Sequence, residues 1–375
     1  MPSQLTHDQY KYGTRDYIMK RTYYIDPKTE DAKPTFSRDT LLIKDFLDFV
    51  SSDNPKTKFK RIIQLQGEDI EQYPSQLLNT NYFPVENIRI PVNKENALKY
   101  GIVKEKDADL IVPYIDINIK ESAIYKQRLL MLDIVANNDW KRPIYFTGGA
   151  FGEDDYIWMK DFLQLDGMCY KLVPIKTPTD RANPFDMGRV DTDFMYEKVK
   201  AWDWGNSGSD DIYHDPETRK NSITYRGNLA RLIENLINEK KLDKAEHIAD
   251  IAMENMPVDK FGYYTLLEPY ISAYYEVGAK DKARQLFKDV AVKYQENLTY
   301  YSELTLENQI KNGQEIVTDL ERYRALIIVL VEYDEDFAEK EFLTFTEFQR
   351  PFERLFPDDR PDIREESDIN RDSSL

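Results

Sequence analysis

The chain has 375 residues, of which 41% are hydrophobic and 32% are charged. This composition excludes an intrinsically disordered protein and allows two or three domains, each with its own core. The 68 acidic residues outnumber the 51 basic ones, which gives a formal net charge of −17. A nucleic acid or an anionic membrane surface would repel such a chain, so we predict no nucleic-acid partner.

The single cysteine neither requires nor excludes an oxidising compartment, and the sequence shows no membrane-spanning pattern. It contains a single cysteine, Cys169, so no disulfide can form within the chain. Its first residues lack the apolar stretch of a signal peptide. The longest apolar run, residues 325–331, is far shorter than the ~20 residues that cross a membrane. We therefore predict a soluble chain with no direct insertion into a membrane.

The first half of the sequence predicts an arm followed by an α/β domain. Residues 1–36 are polar and rich in turn-forming residues, which is typical of an arm or connector. Helix-like and strand-like patterns then alternate over residues 37–176, which predicts an α/β layer with a mixed sheet. A helix is predicted over residues 37–52, with Ser37 or Asp39 as its N-cap. Segments rich in Ile, Val, Leu and Tyr are predicted to be strands: residues 61–65, 87–92, 110–119, 143–147 and 169–175.

Residues 130–146, LMLDIVANNDWKRPIYF, change abruptly from a helical to a strand-like period. Asn137 and Asn138 tolerate left-handed backbone geometry and are predicted to end the helix. Pro143 is predicted to begin the next strand, where its missing N–H is least harmful. The apolar face of the helix is predicted to consist of Ile124, Met131, Ile134 and Val135.

The second half is predicted to be a connector followed by a helical repeat. Residues 177–222 contain dense turn signals, and residues 223–356 have a helical pattern throughout. The pattern repeats itself, since Leu229 aligns with Leu267, 38 positions later. The aligned first helices contain Leu229, Leu232, Ile233, Leu236 and Ile237 against Leu267, Tyr270, Ile271, Tyr274 and Tyr275. The aligned second helices contain Ala245, Ile248, Ala249, Ala252, Met253 and Met256 against Ala283, Leu286, Phe287, Val290, Ala291 and Tyr294.

This self-similarity resembles the tetratricopeptide repeat, whose helix pairs recur about every 34 residues. The present period is longer, and Ile233 and Ile271 stand where that repeat prefers a small residue. We predict an all-α domain of tetratricopeptide-like helical hairpins over residues 223–356, with a third pair or a cap from residue 299 onward. The fold class is therefore α+β overall. The acidic tail, residues 357–375, is predicted to be disordered.

No catalytic site is evident in the sequence. The glycine-rich segment YFTGGAFGEDDY, residues 145–156, matches neither the dinucleotide fingerprint nor a P-loop, so a glycine-rich turn is the simpler interpretation. One functional hypothesis, ranked below the two given at the end of this section, is a soluble α/β enzyme that uses this loop. Two Asp-x-Asp triplets, residues 107–109 and 191–193, have a form that holds divalent metals in some glycosyltransferases, but so acidic a chain contains such triplets by chance. The histidines show no ligand spacing, and they are His7, His214 and His247.

We accordingly predict no catalytic, cofactor-binding or metal-binding residue. If the helix pairs stack as tetratricopeptide repeats do, the exposed positions of each first helix line a groove. These positions are Glu234, Asn238, Glu268, Ser272 and Glu276. An acidic groove predicts a polar or basic segment of a protein as its partner. A solvated acidic face is the alternative interpretation.

Several segments together are similar to one protein family: residues 12–18 (YGTRDYI), 132–146 (LDIVANNDWKRPIYF), 162–176 (FLQLDGMCYKLVPIK), 188–206 (GRVDTDFMYEKVKAWDWGN) and 224–245 (TYRGNLARLIENLINEKKLDKA). They resemble the C-terminal soluble region of bacterial multi-pass protein O-mannosyltransferase-like proteins, a group formerly of unknown function and now classed as glycosyltransferase family 117. In that family an N-terminal bundle of transmembrane helices carries the lipid-linked-sugar chemistry, and the soluble part follows on the extracytoplasmic side.

The resemblance implies that this chain corresponds to the soluble part, so no family catalytic residue can be assigned to any position here. Our leading hypothesis is a non-catalytic periplasmic region of a membrane protein glycosyltransferase, which acts in acceptor recognition or assembly. Its partners would be a protein segment and the transmembrane transferase portion encoded by the same or an adjacent gene. The alternative is a free-standing tetratricopeptide-like interaction scaffold, unrelated to glycosylation and cytoplasmic.

Overall fold

The computed structural model describes residues 17–20, 23–25, 32–34, 40–147, 154–178 and 187–355. The chain divides into two compact units, Met1–Met195 (unit 1) and Tyr196–Leu375 (unit 2). Unit 1 combines strands with helices, whereas the described part of unit 2 is helical. The predicted α+β class is therefore confirmed.

The strands of unit 1 are short. They are β1 (Tyr17–Lys20), β2 (Tyr23–Ile25), β3 (Ala32–Pro34), β4 (Thr40–Leu42), β5 (Tyr82–Phe83), β6 (Asn87–Pro91), β7 (Tyr114–Asn118), β8 (Ala123–Tyr125), β9 (Tyr145–Thr147), β10 (Leu163–Asp166), β11 (Cys169–Leu172) and β12 (Arg189–Val190). The helices between them are α1 (Ile43–Val50), α2 (Phe59–Gln66), α3 (Ser75–Leu78), α4 (Lys94–Lys99) and α5 (Lys126–Asn138), and α6 (Thr192–Lys200) begins where the unit ends.

These strands form several small sheets. The strand orders are β5-β1-β8, β4-β6-β7 and β12-β10-β11-β9, and β2 pairs with β3. Each of the three larger sheets contains one parallel pair beside antiparallel ones, namely β1–β5, β4–β6 and β10–β12. Helix α1 packs on β4, β5, β6 and α5. The apolar side of β6 and β7 is buried at Ile88, Ile90, Ile115 and Ile117, as the period of two along a half-buried strand requires.

One predicted strand is a helix. Residues 61–65 lie within α2, because its buried side chains, Phe59, Ile62 and Ile63, follow the i, i+3, i+4 spacing of a helix. Leu65 is exposed, and the helix ends at Gly67 in left-handed geometry with φ of 72°. A short apolar run rich in isoleucine does not distinguish a strand from a buried helix face, and here the helical spacing decides.

The first predicted helix begins later than expected. Thr40–Leu42 pairs with β6 as strand β4, and α1 starts only at Ile43, with Leu42 at the N-cap position and no side-chain cap. Ser37 and Asp39, the predicted caps, lie outside the described residues. Residues 40–42, which the sequence pattern predicted to be helical, therefore form a strand because they pair with β6.

Helix α5 ends at Asn138, as predicted, but its apolar face differs from the prediction. Ile124 belongs to strand β8, and Ile134 is 59% exposed, so the predicted apolar face was wrong at these two positions. Left-handed geometry occurs at Asp139 and Trp140, directly after the two asparagines. The indole Nε1 of Trp140 donates to Pro91 O at 3.0 Å. This bond ties the turn to the end of β6.

The predicted domain ranges differ from the structure in two places. Within residues 1–36, predicted to be an arm, Tyr17–Lys20 is the central strand of a sheet. Residues 177–222, predicted to be a connector, contain β12, α6 and the start of the next helix. The tail at residues 357–375 lies outside the described residues.

Replacing Gly188 by alanine should destabilise unit 1 more than the same change at Gly101. Both glycines have positive φ, so each substitution carries a backbone cost of about 1 kcal/mol. A Cβ at Gly188 would lie 2.6 Å from the carbonyl oxygen of Leu163, whereas a Cβ at Gly101 meets nothing within 4 Å. Since the β10–β12 pairing must shift, we expect about 2 kcal/mol more destabilisation at Gly188, measured by urea denaturation. Equal losses would mean that β12 moves freely.

Unit 2 is a succession of helix pairs. Its helices are α7 (Pro216–Asn238), α8 (Leu242–Asn255), α9 (Val258–Phe261), α10 (Glu268–Glu276), α11 (Lys280–Ser302), α12 (Leu306–Lys311), α13 (Gly313–Tyr333) and α14 (Glu335–Gln349). Helix α7 packs on α8, α10 on α11, and α13 on α14. Helix α10 also contacts α7, α8 and α13, and α11 contacts α13 and α14, so neighbouring pairs stack on one another.

The aligned apolar positions of the repeat form the core of these pairs. All of them are buried except Met253 and Tyr275. The turns within the first two pairs use left-handed residues, Lys240 and Gly278. A third pair, α13 with α14, continues the array. The tetratricopeptide assignment itself stays a prediction, and α10, with 9 residues, is much shorter than the 23-residue α7.

Candidate partner-binding surface

The predicted groove residues lie on two helices that pack against each other. Glu234 and Asn238 are exposed on α7, and Glu268 and Glu276 are exposed on α10. Ser272, between the two glutamates, is half-buried. The acidic side chains therefore face solvent on adjacent first helices of the array.

The structure joins some of these residues to neighbours. The hydroxyl of Ser272 donates to the carbonyl oxygen of Glu268 at 3.4 Å. The hydroxyl of Tyr333, on α13, donates to Glu276 Oε1 at 3.4 Å, and its ring stacks on that of Tyr275. No hydrogen bond or ion pair between described residues links the α7 positions to the α10 positions. The contacts of Tyr333 with Tyr275 and Glu276 therefore join α10 to α13, whereas, among the described residues, these side-chain contacts do not extend to α7.

A polar cluster that the sequence reasoning missed lies between α11 and α13. Asn297 Nδ2 donates to Asp319 Oδ2 and to the hydroxyl oxygen of Tyr264, each at 3.0 Å. The rings of Tyr264 and Tyr294 meet edge to face, with centroids 4.9 Å apart. Burial raises the pKa of Tyr301, and the negative charge of Asp319 adds to that increase. We call Asp319, Asn297, Tyr264, Tyr294 and Tyr301 the Asp319 cluster.

Burial dominates the electrostatics of this cluster. It raises the pKa of Asp319 above its ordinary value, although the Asn297 hydrogen bond and the charge of Arg322 oppose the shift. Burial also raises the pKa of Tyr294, and the negative charges of Asp319 and Glu268 add to that increase. The predicted groove residue Glu268 and the Asp319 cluster therefore share one acidic environment.

Asp319 differs from two other buried acids of the described chain. Asp191 contacts Lys104 at 2.7 Å and Lys106 at 3.4 Å. Asp334 contacts both Arg284, at 2.7 Å, and Lys280, at 2.9 Å. Asp319, only 9% exposed, forms no ion pair with any residue that the structure describes. Among the described residues, its hydrogen-bond partner is the side-chain amide of Asn297.

The Asp-x-Asp triplets serve structural ion pairs. Asp107 accepts from Arg189 Nη2 at 3.0 Å. Burial tends to raise the pKa of Asp191, but its bonds from Lys104 and from the backbone N–H of Phe194 lower that pKa below its ordinary value. Across the described ranges, no three His, Cys, Asp or Glu side chains are grouped so that they could hold a metal ion.

The remaining sequence candidates lie partly outside the described residues, and the described ones make local contacts. Residues 148–153, the centre of the glycine-rich segment, lie outside the described residues, as does His7. His214 Nε2 lies 2.8 Å from Ser207 O, and His247 Nδ1 lies 2.9 Å from the hydroxyl of Tyr196. Each of these two histidines thus makes a local contact within unit 2.

The sequence does contain one signal for the missed cluster. Ile316, Leu320 and Tyr323 mark the buried face of α13, and Asp319 falls on that face. A charged residue at a predicted core position indicates either a buried ion pair or a binding site.

Comparison with known proteins places unit 1 in a family. A sequence model of the TMEM260-associated domain 2 family matches residues 1–194, just over half of the chain and nearly the whole of unit 1. Neither a curated protein nor a solved structure matches the chain. Within the described residues, every helix is too short or too polar to cross a membrane. The family match confirms a relation to an O-mannosyltransferase-like membrane protein, while membership of glycosyltransferase family 117 stays a prediction. The chain belongs to the TMEM260-associated domain 2 family.

Proposed function

We propose that this chain is a non-catalytic, extracytoplasmic region that serves a membrane protein glycosyltransferase by holding its acceptor proteins. The family match over unit 1 is the observation that carries the proposal, because it relates the chain to a glycosyltransferase-like membrane protein. The chain would work at the periplasmic face of a bacterial membrane. The transferring chemistry would belong to the transmembrane partner.

Unit 2 supplies the acceptor-binding surface in this proposal. Its stacked helix pairs expose Glu234, Glu268 and Glu276 on the adjacent helices α7 and α10. Stacked helical hairpins of the tetratricopeptide kind present extended surfaces to peptide segments. An acidic surface favours basic segments, steers their approach and loses affinity as salt screens the charges.

The test is a reconstituted glycosylation assay. Membranes from cells that lack this chain should glycosylate an acceptor protein poorly, and the purified full chain should restore the reaction. A Glu234→Lys/Glu276→Lys double variant should restore it at least about tenfold less well, since two opposite charges become like charges. Glu347→Lys together with Glu339→Lys, which reverses two exposed charges on α14, is the matched control.

Two results would contradict the proposal. If the purified chain alone transferred sugar from a lipid-linked donor, it would be catalytic. If the chain were recovered only with soluble partners and had no effect on the membranes, an interaction scaffold unrelated to glycosylation would be the better assignment.

A further inference from the structure

We propose that the Asp319 cluster binds the cationic end of a lysine or arginine side chain from a protein partner. The inference rests on the proposed function, because it names the part of an acceptor segment that unit 2 would recognise. Its basis is a buried carboxylate that forms no ion pair with any residue the structure describes.

The first step is the cost of that carboxylate. A buried charge is destabilising unless a partner compensates for it, and Asp191 and Asp334 both have cations in contact. Asp319 has the amide of Asn297 on Oδ2, and for Oδ1 the described residues provide no recorded partner. Asp319 therefore carries a buried charge for which the described residues supply no ion pair.

The second step is the chemistry around the carboxylate. Tyr264 and Tyr301 are half-buried, and Asn297 donates to both Tyr264 and Asp319. The hydroxyls of Tyr294 and Tyr301 donate no hydrogen bond to a described residue. Tyrosine faces attract cations, and their hydroxyl oxygens accept hydrogen bonds from ammonium or guanidinium groups. Glu268 adds negative charge from the edge of the groove.

The third step is the choice among cations. A hard metal ion takes six or more oxygen ligands at about 2.0–2.6 Å, of which carboxylates supply the charge, and this cluster offers a single carboxylate. Arg322 is exposed on the same helix, and its charge acts on Asp319 without an ion pair being formed. An incoming basic side chain would therefore compete with Arg322, which is exposed to solvent and forms no ion pair with Asp319. Aromatic rings around one acid suit an organic cation best.

The stability of a variant separates a binding residue from a structural one. Burial raises the pKa of Asp319 in the folded state, so the folded chain holds that proton more tightly than the unfolded chain. Ionisation of this carboxyl therefore lowers the stability of the fold. The loss begins as the pH rises past the pKa of the unfolded state and is complete above the pKa of the folded state. Asp319→Asn removes the charge and should leave the melting temperature at pH 7 equal or higher.

The binding test uses the full chain and capped pentapeptides, Gly-Ser-Lys-Ser-Gly and its arginine and norleucine counterparts, titrated by nuclear magnetic resonance. The basic peptides should bind more tightly than the norleucine peptide. Asp319→Asn should weaken their binding by at least about tenfold, the factor expected for one charge-assisted hydrogen bond. Arg322→Gln should strengthen it. Glu347→Gln, which removes one exposed charge from α14, should change it less than about twofold.

Equal binding of the norleucine peptide, no binding of the basic peptides, or an unchanged affinity in Asp319→Asn would each overturn the inference. A large drop in melting temperature for Asp319→Asn would do so as well, since it would assign the carboxylate to stability. The outcomes also separate this inference from the proposed function. Basic peptides that bind through Asp319 while the membranes ignore the chain would preserve the site and reject the role in glycosylation.

Discussion

Replacing Asp334 by alanine should lower the free energy of unfolding of unit 2 by about 3 kcal/mol, the usual cost of removing one partner from a buried ion pair. Asp334 is 4% exposed and lies between α13 and α14. Arg284 donates to both of its carboxylate oxygens, at 2.7 and 3.0 Å. Lys280 Nζ lies 2.9 Å from Oδ1, and the hydroxyl of Tyr275 donates to Oδ2 at 3.2 Å.

The size of this effect follows from where the partners come from. Tyr275 belongs to α10, and Lys280 and Arg284 belong to α11, so one carboxylate joins the second helix pair to the turn of the third. Arg284 and Lys280 are partly exposed and can be rehydrated when the acid is removed, which keeps the loss near the lower end of the range for buried pairs. Asp336→Ala removes an exposed acid two residues later and should cost less than about 1 kcal/mol.

The pH dependence of stability provides a second readout. The hydrogen bonds from Arg284 are the largest cause that lowers the pKa of Asp334, and Lys280 and Tyr275 add to them against the effect of burial. A carboxyl with a lowered folded pKa contributes stability that is complete above its unfolded pKa of about 4 and is lost as the pH falls toward the folded value. The wild-type chain should lose stability below about pH 5 more steeply than Asp334→Ala.

Hydrogen exchange of the amides of α10, α11 and α14 would locate the change. The expected result is faster exchange in all three helices for Asp334→Ala at pH 7 and a smaller difference between the proteins near pH 3. If exchange increased in α14 alone, Asp334 would be a local element of its turn and would not join two helix pairs.

The helical unit was the most predictable part of the fold. A period of 3.6 residues sustained over α7, α8 and α11 is a local property, and the 38-residue offset places the same core positions in two pairs. The short strands of unit 1 were harder, because a run such as residues 61–65 satisfies both a strand and a helix until the tertiary packing decides. Strand β4 shows the same limit, since its pairing with β6 joins residues 47 positions apart.

For a related reason, the exposed residues of the candidate surface could be predicted from the sequence, whereas long-range side-chain contacts could not. Exposure of Glu234 and Glu276 follows from their place opposite the apolar face, and the structure has both exposed. The partners of Asp334 cannot be inferred from sequence, since Arg284 lies 50 positions away on another helix pair. For the same reason, no pattern in the chain indicates that Asn297 joins Asp319 to Tyr264, or that Asp319 forms no ion pair with a described residue.

The other large effect is expected at Arg226, whose replacement by methionine should destabilise unit 2 by about 3 kcal/mol. Arg226 is fully buried on α7. Its Nη2 donates to Met256 O at 2.7 Å, and its Nη1 donates to Gly262 O and to Tyr263 O. The guanidinium therefore holds the linker between the first and second helix pairs, where Gly262 and Tyr263 both have positive φ.

Two opposing contributions decide whether Arg226→Met stabilises or destabilises unit 2. Burial lowers the pKa of Arg226 to about 10, so the group stays charged at neutral pH. It forms no ion pair with a described carboxylate, and methionine relieves the cost of this buried charge. Methionine also leaves carbonyl oxygens without a donor. Tyr263 O keeps the backbone N–H of Leu266, at 3.2 Å, but Met256 O and Gly262 O lose their recorded donor. An unsatisfied buried carbonyl such as Met256 O costs about 1–3 kcal/mol, and the half-buried Gly262 O costs less. The loss of packing adds to this, so destabilisation should prevail.

A lysine at the same position tells the two contributions apart. Arg226→Lys keeps the charge but cannot reach both arms of the linker at once, because an ammonium lacks the planar fork of a guanidinium. It should therefore recover less than about half of the stability lost in Arg226→Met, measured by urea denaturation and by exchange of the amides at residues 256–267. Arg324→Met, which changes an exposed arginine of α13, should cost less than about 0.5 kcal/mol. A methionine variant as stable as the wild type would mean that relief of the buried charge outweighs both carbonyls, and the linker would then hold its shape without the guanidinium.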